Sequence, residues 1–86
     1  MTVNEIVKQA RAQLAQLTGL KPDTVSSLVK DEGDWHVAVE LVEMKRIPES
    51  SDLLATYDTY LDDAGNLLRY QRTRRYLRGE TLEQAA

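Results

Sequence analysis

Apolar residues near the start of the chain recur every three or four places. Ile6, Ala10, Leu14 and Leu17 form a stripe that Val3 and Val7 widen, and this spacing predicts an amphipathic helix over residues 2–18. Lys8, Gln9, Arg11, Gln13 and Gln16 fall largely on the opposite, wet side. Thr2 with Glu5 three places on forms a capping box that would satisfy free N–H groups of the first turn. Gly19 supplies the left-handed stop, and Pro22 keeps the helix from resuming.

Beyond Pro22 the period changes from 3.6 to 2. Residues 25–30 make a short, weak strand candidate, and the turn-forming run at 31–34 comes next. Trp35, Val37, Val39 and Leu41 alternate with His36, Ala38 and Glu40, which predicts a half-buried strand extending to about Arg46. Residues 47–52 form a polar connection, because Pro48 cannot donate to a central ladder. A third strand is expected over 53–61, a hairpin turn over 62–66 and a fourth strand over 67–78.

One helix followed by four strands on short loops predicts an α+β fold, with an N-terminal helix packed on a four-stranded antiparallel β-meander. Residues 1–79 are expected to form this single domain, and residues 80–86 a flexible C-terminal tail. The apolar pattern favours a register in which Leu61 faces Leu68, Thr59 faces Tyr70, Tyr57 faces Arg72 and Leu53 faces Tyr76. Arg72 and Arg74 would then share the inner side, so they must lie beyond the helix's cover or be re-aimed by a bulge.

Charge sharpens this picture. The chain has 86 residues, 11 of them basic and 14 acidic, with net charge −3. Arg69, Arg72, Arg74, Arg75 and Arg78 stand close together with no acid among them. They carry +5, which leaves −8 on the rest. Strand parity sends Arg69 and Arg75 one way, and Arg72, Arg74 and Arg78 the other. Three counter-charges are open. The first is internal pairing with Glu40, Glu43, Asp52 and Asp58, each exposed pair being worth only about 0.2–1 kcal/mol. The second is a partner protein, and the third a nucleic acid. Acids outnumber bases, whereas nucleic-acid-binding domains usually carry a basic surplus.

Chemistry-bearing constellations are sparse. There is no cysteine, so disulfides and thiolate metal sites are excluded. The one histidine, His36, has no recognisable partners by spacing and is expected to point to water. Ser50 and Ser51 lack a neighbouring base, the glycines form no phosphate-cradling loop, and Glu40 and Glu43 lie on opposite faces of a regular strand. An enzyme is therefore not expected, and neither a metal nor another cofactor. No apolar run is long enough to span a bilayer and no secretory signal is visible, so the cytoplasm is the default compartment. Tyr57, Tyr60, Tyr70 and Tyr76 suit a half-buried sheet face. Tyr60, on the parity opposite to Tyr57, is the better exposed contact, since Tyr and Arg are enriched at binding hot spots.

Several segments in order resemble the gas vesicle protein O family. These are residues 35–48, containing Trp35, Glu40, Glu43 and Arg46-Ile47-Pro48; residues 52–57, from Asp52 to Tyr57; and residues 61–67 running into Tyr70-Gln71-Arg72-Thr73-Arg74-Arg75-Tyr76-Leu77-Arg78. With Leu17-Thr18-Gly19-Leu20 and Val25-Ser26-Ser27-Leu28, the likeness covers about residues 10–79. It implies an accessory or minor component in the making of gas vesicles, located in the cytoplasm or on the vesicle. It further implies contacts with other gas vesicle proteins and no catalytic residues. The expected partner surface comprises Glu40, Glu43, Arg46, Tyr60, Arg69, Arg72, Arg74, Arg75 and Arg78.

Overall fold

The computed structural model describes residues 1–80; the expected tail lies outside them from residue 81 onward. Helix α1 (Val3–Thr18) is followed by strands β1 (Lys21–Asp31), β2 (Asp34–Met44), β3 (Leu53–Leu61) and β4 (Leu67–Leu77). The strands pair in sequence order as one antiparallel sheet, and α1 lies on one face. This is the α+β helix-and-meander arrangement that the hydrophobic pattern predicts. No helix among the described residues is long and apolar enough to cross a membrane.

Local chemistry fixes both ends of α1. The Thr2 hydroxyl accepts the Glu5 N–H at 3.2 Å, and the Glu5 carboxylate accepts the Thr2 N–H at 3.0 Å. That reciprocal capping holds the Glu5 carboxyl below its ordinary range. Gly19 closes the helix at φ 74°, where a side chain would be strained. Ile6, Ala10 and Leu14 are fully buried and meet Val37, Val39, Leu41, Ala55, Tyr57 and Leu61 of the sheet. Leu17 shares the helix angle of that row but lies in the last turn, and it is 60% exposed.

Gln13 departs from its expected place on the wet side. Its side-chain N–H donates to the Gly65 carbonyl at 2.7 Å, and its side-chain oxygen accepts the Leu67 N–H at 3.0 Å. One amide thus ties α1 to the β3–β4 hairpin. The β1–β2 turn has Glu32 at φ 45° and Gly33 at φ 92°. Two successive positive φ values match the two-residue turns whose twist suits a hairpin.

β1 runs from Lys21 to Asp31, well beyond the expected 25–30. The pairing with β2 shifts after Pro22 and again after Val25. These bulges interrupt the alternation that would have exposed the strand in the sequence. β2 ends at Met44, two residues short of Arg46. Its pairing with β3 shifts between Val42 and Met44, so Glu43 is an extra residue in the ladder. The connection to β3 contains a 3-10 turn at Glu49–Ser51, and the Ile47–Pro48 peptide is cis. β4 passes into a 3-10 turn at Arg78–Glu80.

The expected β3–β4 register holds in the middle, where Thr59 faces Tyr70 and Tyr57 faces Arg72. It slips at both ends. Leu61 faces Leu67 rather than Leu68, and Leu54, not Leu53, faces Tyr76. The extra residue Thr73 reverses the parity of the rest of β4, so Arg74 faces Thr56 and Arg75 faces Ala55.

Leu14 is a fully buried helical residue that packs on the sheet, being 0% exposed. Leu14→Ala should lower stability by about 2–5 kcal/mol, measured as a drop in the urea midpoint with an unchanged slope. A loss below about 1 kcal/mol would mean that α1 is not packed on this face as described.

Candidate functional site

The arginines of β4 and their partners among the described residues lie at three places on the sheet, and in each a bulge or a strand end aims side chains. The first lies on the face that α1 covers, beyond the helix. Glu43, displaced from regular alternation, accepts from Arg75 Nε at 2.7 Å and from Arg72 Nη1 at 3.3 Å. The Tyr57 hydroxyl donates to the same carboxylate at 3.4 Å. Burial, then the Glu43 charge, pushes the Tyr57 phenol above its ordinary range. Both arginine side chains are about half exposed, at 47% and 51%, whereas Glu43 is 12% exposed. Two guanidinium groups on one carboxylate leave a net positive charge at the surface.

The second place is the other sheet face, where Val42, Leu54 and Tyr76 form a small buried cluster. Glu40 sits among them at 5% exposure. Its partners are hydroxyls: Ser26 donates at 2.7 Å, Thr56 at 2.6 Å and Tyr76 at 2.5 Å. Ser26 is the extra residue of a β1 bulge, which turns its hydroxyl toward β2. Burial and the bond to Glu40 push the Tyr76 phenol up to about 12. The Arg74 guanidinium lies over the Tyr76 ring at 4.5 Å, and its Nε donates to the Thr56 hydroxyl at 3.3 Å. Further along this face, His36 and Tyr60 stack in parallel at 4.5 Å, with Arg69 over Tyr60 at 4.1 Å. His36 is therefore covered on one side rather than simply facing water, and its Nε2 lies 3.5 Å from Asp58 Oδ1.

The third place is the end of the sheet where β4 finishes. Asp52 is fully buried. Its Oδ1 accepts the Arg46 backbone N–H at 2.7 Å, and its Oδ2 lies 3.2 Å from Arg78 Nη2 and 3.8 Å from Lys45 Nζ. The Arg46 bond, more than the neighbouring cations, holds the Asp52 carboxyl below its usual value. Arg78 also reaches both oxygens of Asp23 at 3.3 Å, and that contact foremost raises its own pKa. Asp23 is the extra residue of the first β1 bulge. One guanidinium thus joins β1, the β2–β3 loop and the end of β4.

The nine residues singled out in the sequence do not form one surface. Arg72 and Arg75 share the helix-side face around Glu43, while Arg69, Arg74 and Tyr60 lie on the other. The expected pairing of Arg69 with Arg75, and of Arg72 with Arg74, by parity is corrected by the Thr73 bulge. Glu40 is buried, Arg78 is half-buried in its ion pairs, and Arg46 stands in the exposed loop. Three contributors are hidden in the sequence: Ser26 and Asp23, which sit in bulges, and Tyr76 as the lid on Glu40. Asp23 next to Pro22 on an edge strand is the kind of irregularity that marks a bulge.

The fold and its ion-pair nodes define a small α+β sheet protein with arginine distributed over both faces of its last strand. The model of the family "Gas vesicle synthesis protein GvpO" matches residues 1–82, and the chain belongs to that family. It is 43% identical over 76 residues to gas vesicle protein O of Streptomyces sp. (strain CB03234), covering 88% of this chain and 59% of that protein. Gas vesicle protein O of Haloferax mediterranei is 30% identical over 77 residues, 88% of this chain and 55% of its own. Gas vesicle protein O1 of Halobacterium salinarum is 37% identical over 54 residues, 63% of this chain and 44% of its own. The chain spans about half the length of these relatives. No solved structure matches it.

Because its folded pKa is depressed, Asp52 adds stability that is fully present above its unfolded value, near 3.8. That stability is lost as pH falls through the lower folded value. Asp52→Asn should lower the urea midpoint at pH 7 and flatten the fall in stability below about pH 4. Parallel pH profiles for the two proteins would rule out the described node.

Proposed function

We propose that this chain serves gas vesicle formation as a non-enzymatic accessory or minor component, acting through contacts with other gas vesicle proteins. Membership of the gas vesicle synthesis family supports the process, and the names of the relatives point the same way. The observation that carries the contact reading is the outer strand β4. Residues 69–75 are all exposed, and the Arg72–Glu43–Arg75 cluster retains surplus positive charge. An exposed strand edge offers unpaired backbone groups to a partner, and the arginines select an acidic one. Arg46, Tyr60, Arg69, Arg72, Arg74 and Arg75 are the contact residues in this reading. Glu40, Glu43 and Arg78 hold them in place from inside. The protein works in the cytoplasm or at the vesicle, with no cofactor.

Arg69 is a clean probe, because it lies over a ring and is exposed. In a vesicle-forming host that carries the variant as its only copy, Arg69→Glu together with Arg72→Glu should cut vesicle yield at least about tenfold, the loss expected for roughly 1.4 kcal/mol of binding. The purified variant should keep a folded circular dichroism spectrum. Wild-type yield from this variant would refute the β4 contact.

A further inference from the structure

We propose that the β2–β3 loop is a preorganised plug, with Ile47 entering an aliphatic pocket on a protein partner whose rim carries carboxylates for Lys45 and Arg46. The proposal rests on the contact reading above and names a second, separate contact for it.

Ile47 is 100% exposed, and Met44, three residues earlier, 50%. Lone exposed aliphatic residues are ordinary on protein surfaces. Ile47 is set apart by the structure beneath it. The buried Asp52 carboxylate accepts the Arg46 N–H at 2.7 Å, immediately before Ile47. On the other side Ser51 N–H donates to the Pro48 carbonyl at 2.9 Å, and Asp52 N–H to the Glu49 carbonyl at 2.9 Å. Arg78 and Lys45 hold the same carboxylate from further round. The backbone on both sides of Ile47 is therefore fixed while the side chain touches solvent alone. A side chain displayed on a fixed backbone loses less conformational freedom on binding than one on a loose loop.

Charge identifies the partner's rim. Lys45, Arg46 and Ile47 line one open hollow. The Arg46 guanidinium donates to the Met44 sulfur at 3.4 Å, and among the described residues no carboxylate pairs with it. Lys45 is 61% exposed. Two cations flanking one aliphatic group, Lys45 partly engaged with Asp52 and Arg46 exposed, complement a small apolar pocket bordered by acids. An anionic membrane offers the same charge, but stable membrane attachment needs far more apolar area than one side chain supplies.

The test uses the full-length protein in a vesicle-forming host that has lost its own copy, with vesicle yield as one readout. Ile47→Asp and Arg46→Glu should each cut yield at least about tenfold, while Ile47→Leu restores it. Because Ile47 makes no packing contact, Ile47→Asp should leave the purified protein's thermal midpoint unchanged. A photo-crosslinking residue at position 47 should attach to a second vesicle protein, at a peptide containing Asp or Glu. Wild-type yield from Ile47→Asp overturns the plug but leaves the β4 contact standing. So does a crosslink only to another copy of this chain, or retention of the purified protein on anionic phospholipid vesicles that Ile47→Asp abolishes. Normal vesicles in the strain lacking the protein altogether overturn both readings.

Discussion

The lower end of this sheet depends on one buried carboxylate. Asp52 lies out of solvent and carries a charge, so every lone pair it cannot offer to water must find a partner in the chain. It finds a backbone amide, a guanidinium and an ammonium group. Each comes from a different residue of the chain. A buried ion pair is weak evidence of stability for its own sake, because desolvation offsets much of the attraction. Its value lies in geometry. Through Arg78 the carboxylate reaches Asp23 on β1, and the Arg78 N–H also donates to the Asp52 carbonyl at 2.9 Å. The first strand, the β2–β3 loop and the end of the last strand are thereby held in one arrangement.

The arginine-rich strand takes its meaning from the same distribution of counter-charges. Arg78 belongs to the Asp52 node, and Arg72 and Arg75 converge on Glu43. Arg69 and Arg74 lie over tyrosine rings, where the cation gains from the ring face. Glu40, a buried glutamate, is satisfied by three hydroxyls. The basic stretch is thus neither one stripe for a nucleic acid nor wholly cancelled within the fold. What remains outward is a set of exposed guanidinium groups on both faces of the edge strand β4.

Most of the fold was legible because amphipathic periods and turn chemistry agree with the tertiary structure. The capping box at Thr2, the Gly19 stop and the alternation from Trp35 to Leu41 all carry local signals that packing reinforces. The candidate site was less legible for a definite reason. Asp23, Ser26, Glu43 and Thr73 are each an extra residue in a ladder, and parity arguments fail one residue beyond every bulge. Those four positions build or re-aim the polar contacts. The tie made by Gln13 was also invisible, since a helix-side amide and a hairpin carbonyl 52 residues apart share no local pattern. Ile47 looked like part of a polar connection because nothing in the sequence tells how firmly a loop is held.

The firmness of the β2–β3 loop decides whether Ile47 is displayed at all, and it can be measured without any partner. Amide hydrogen exchange of the isolated protein should show Arg46 protected to a degree approaching the central sheet amides, because its N–H ends on a buried carboxylate. Asp52→Asn should weaken that protection. Exchange of Arg46 at the rate of an unstructured peptide would contradict this, since neither the node nor the displayed Ile47 could then exist as described.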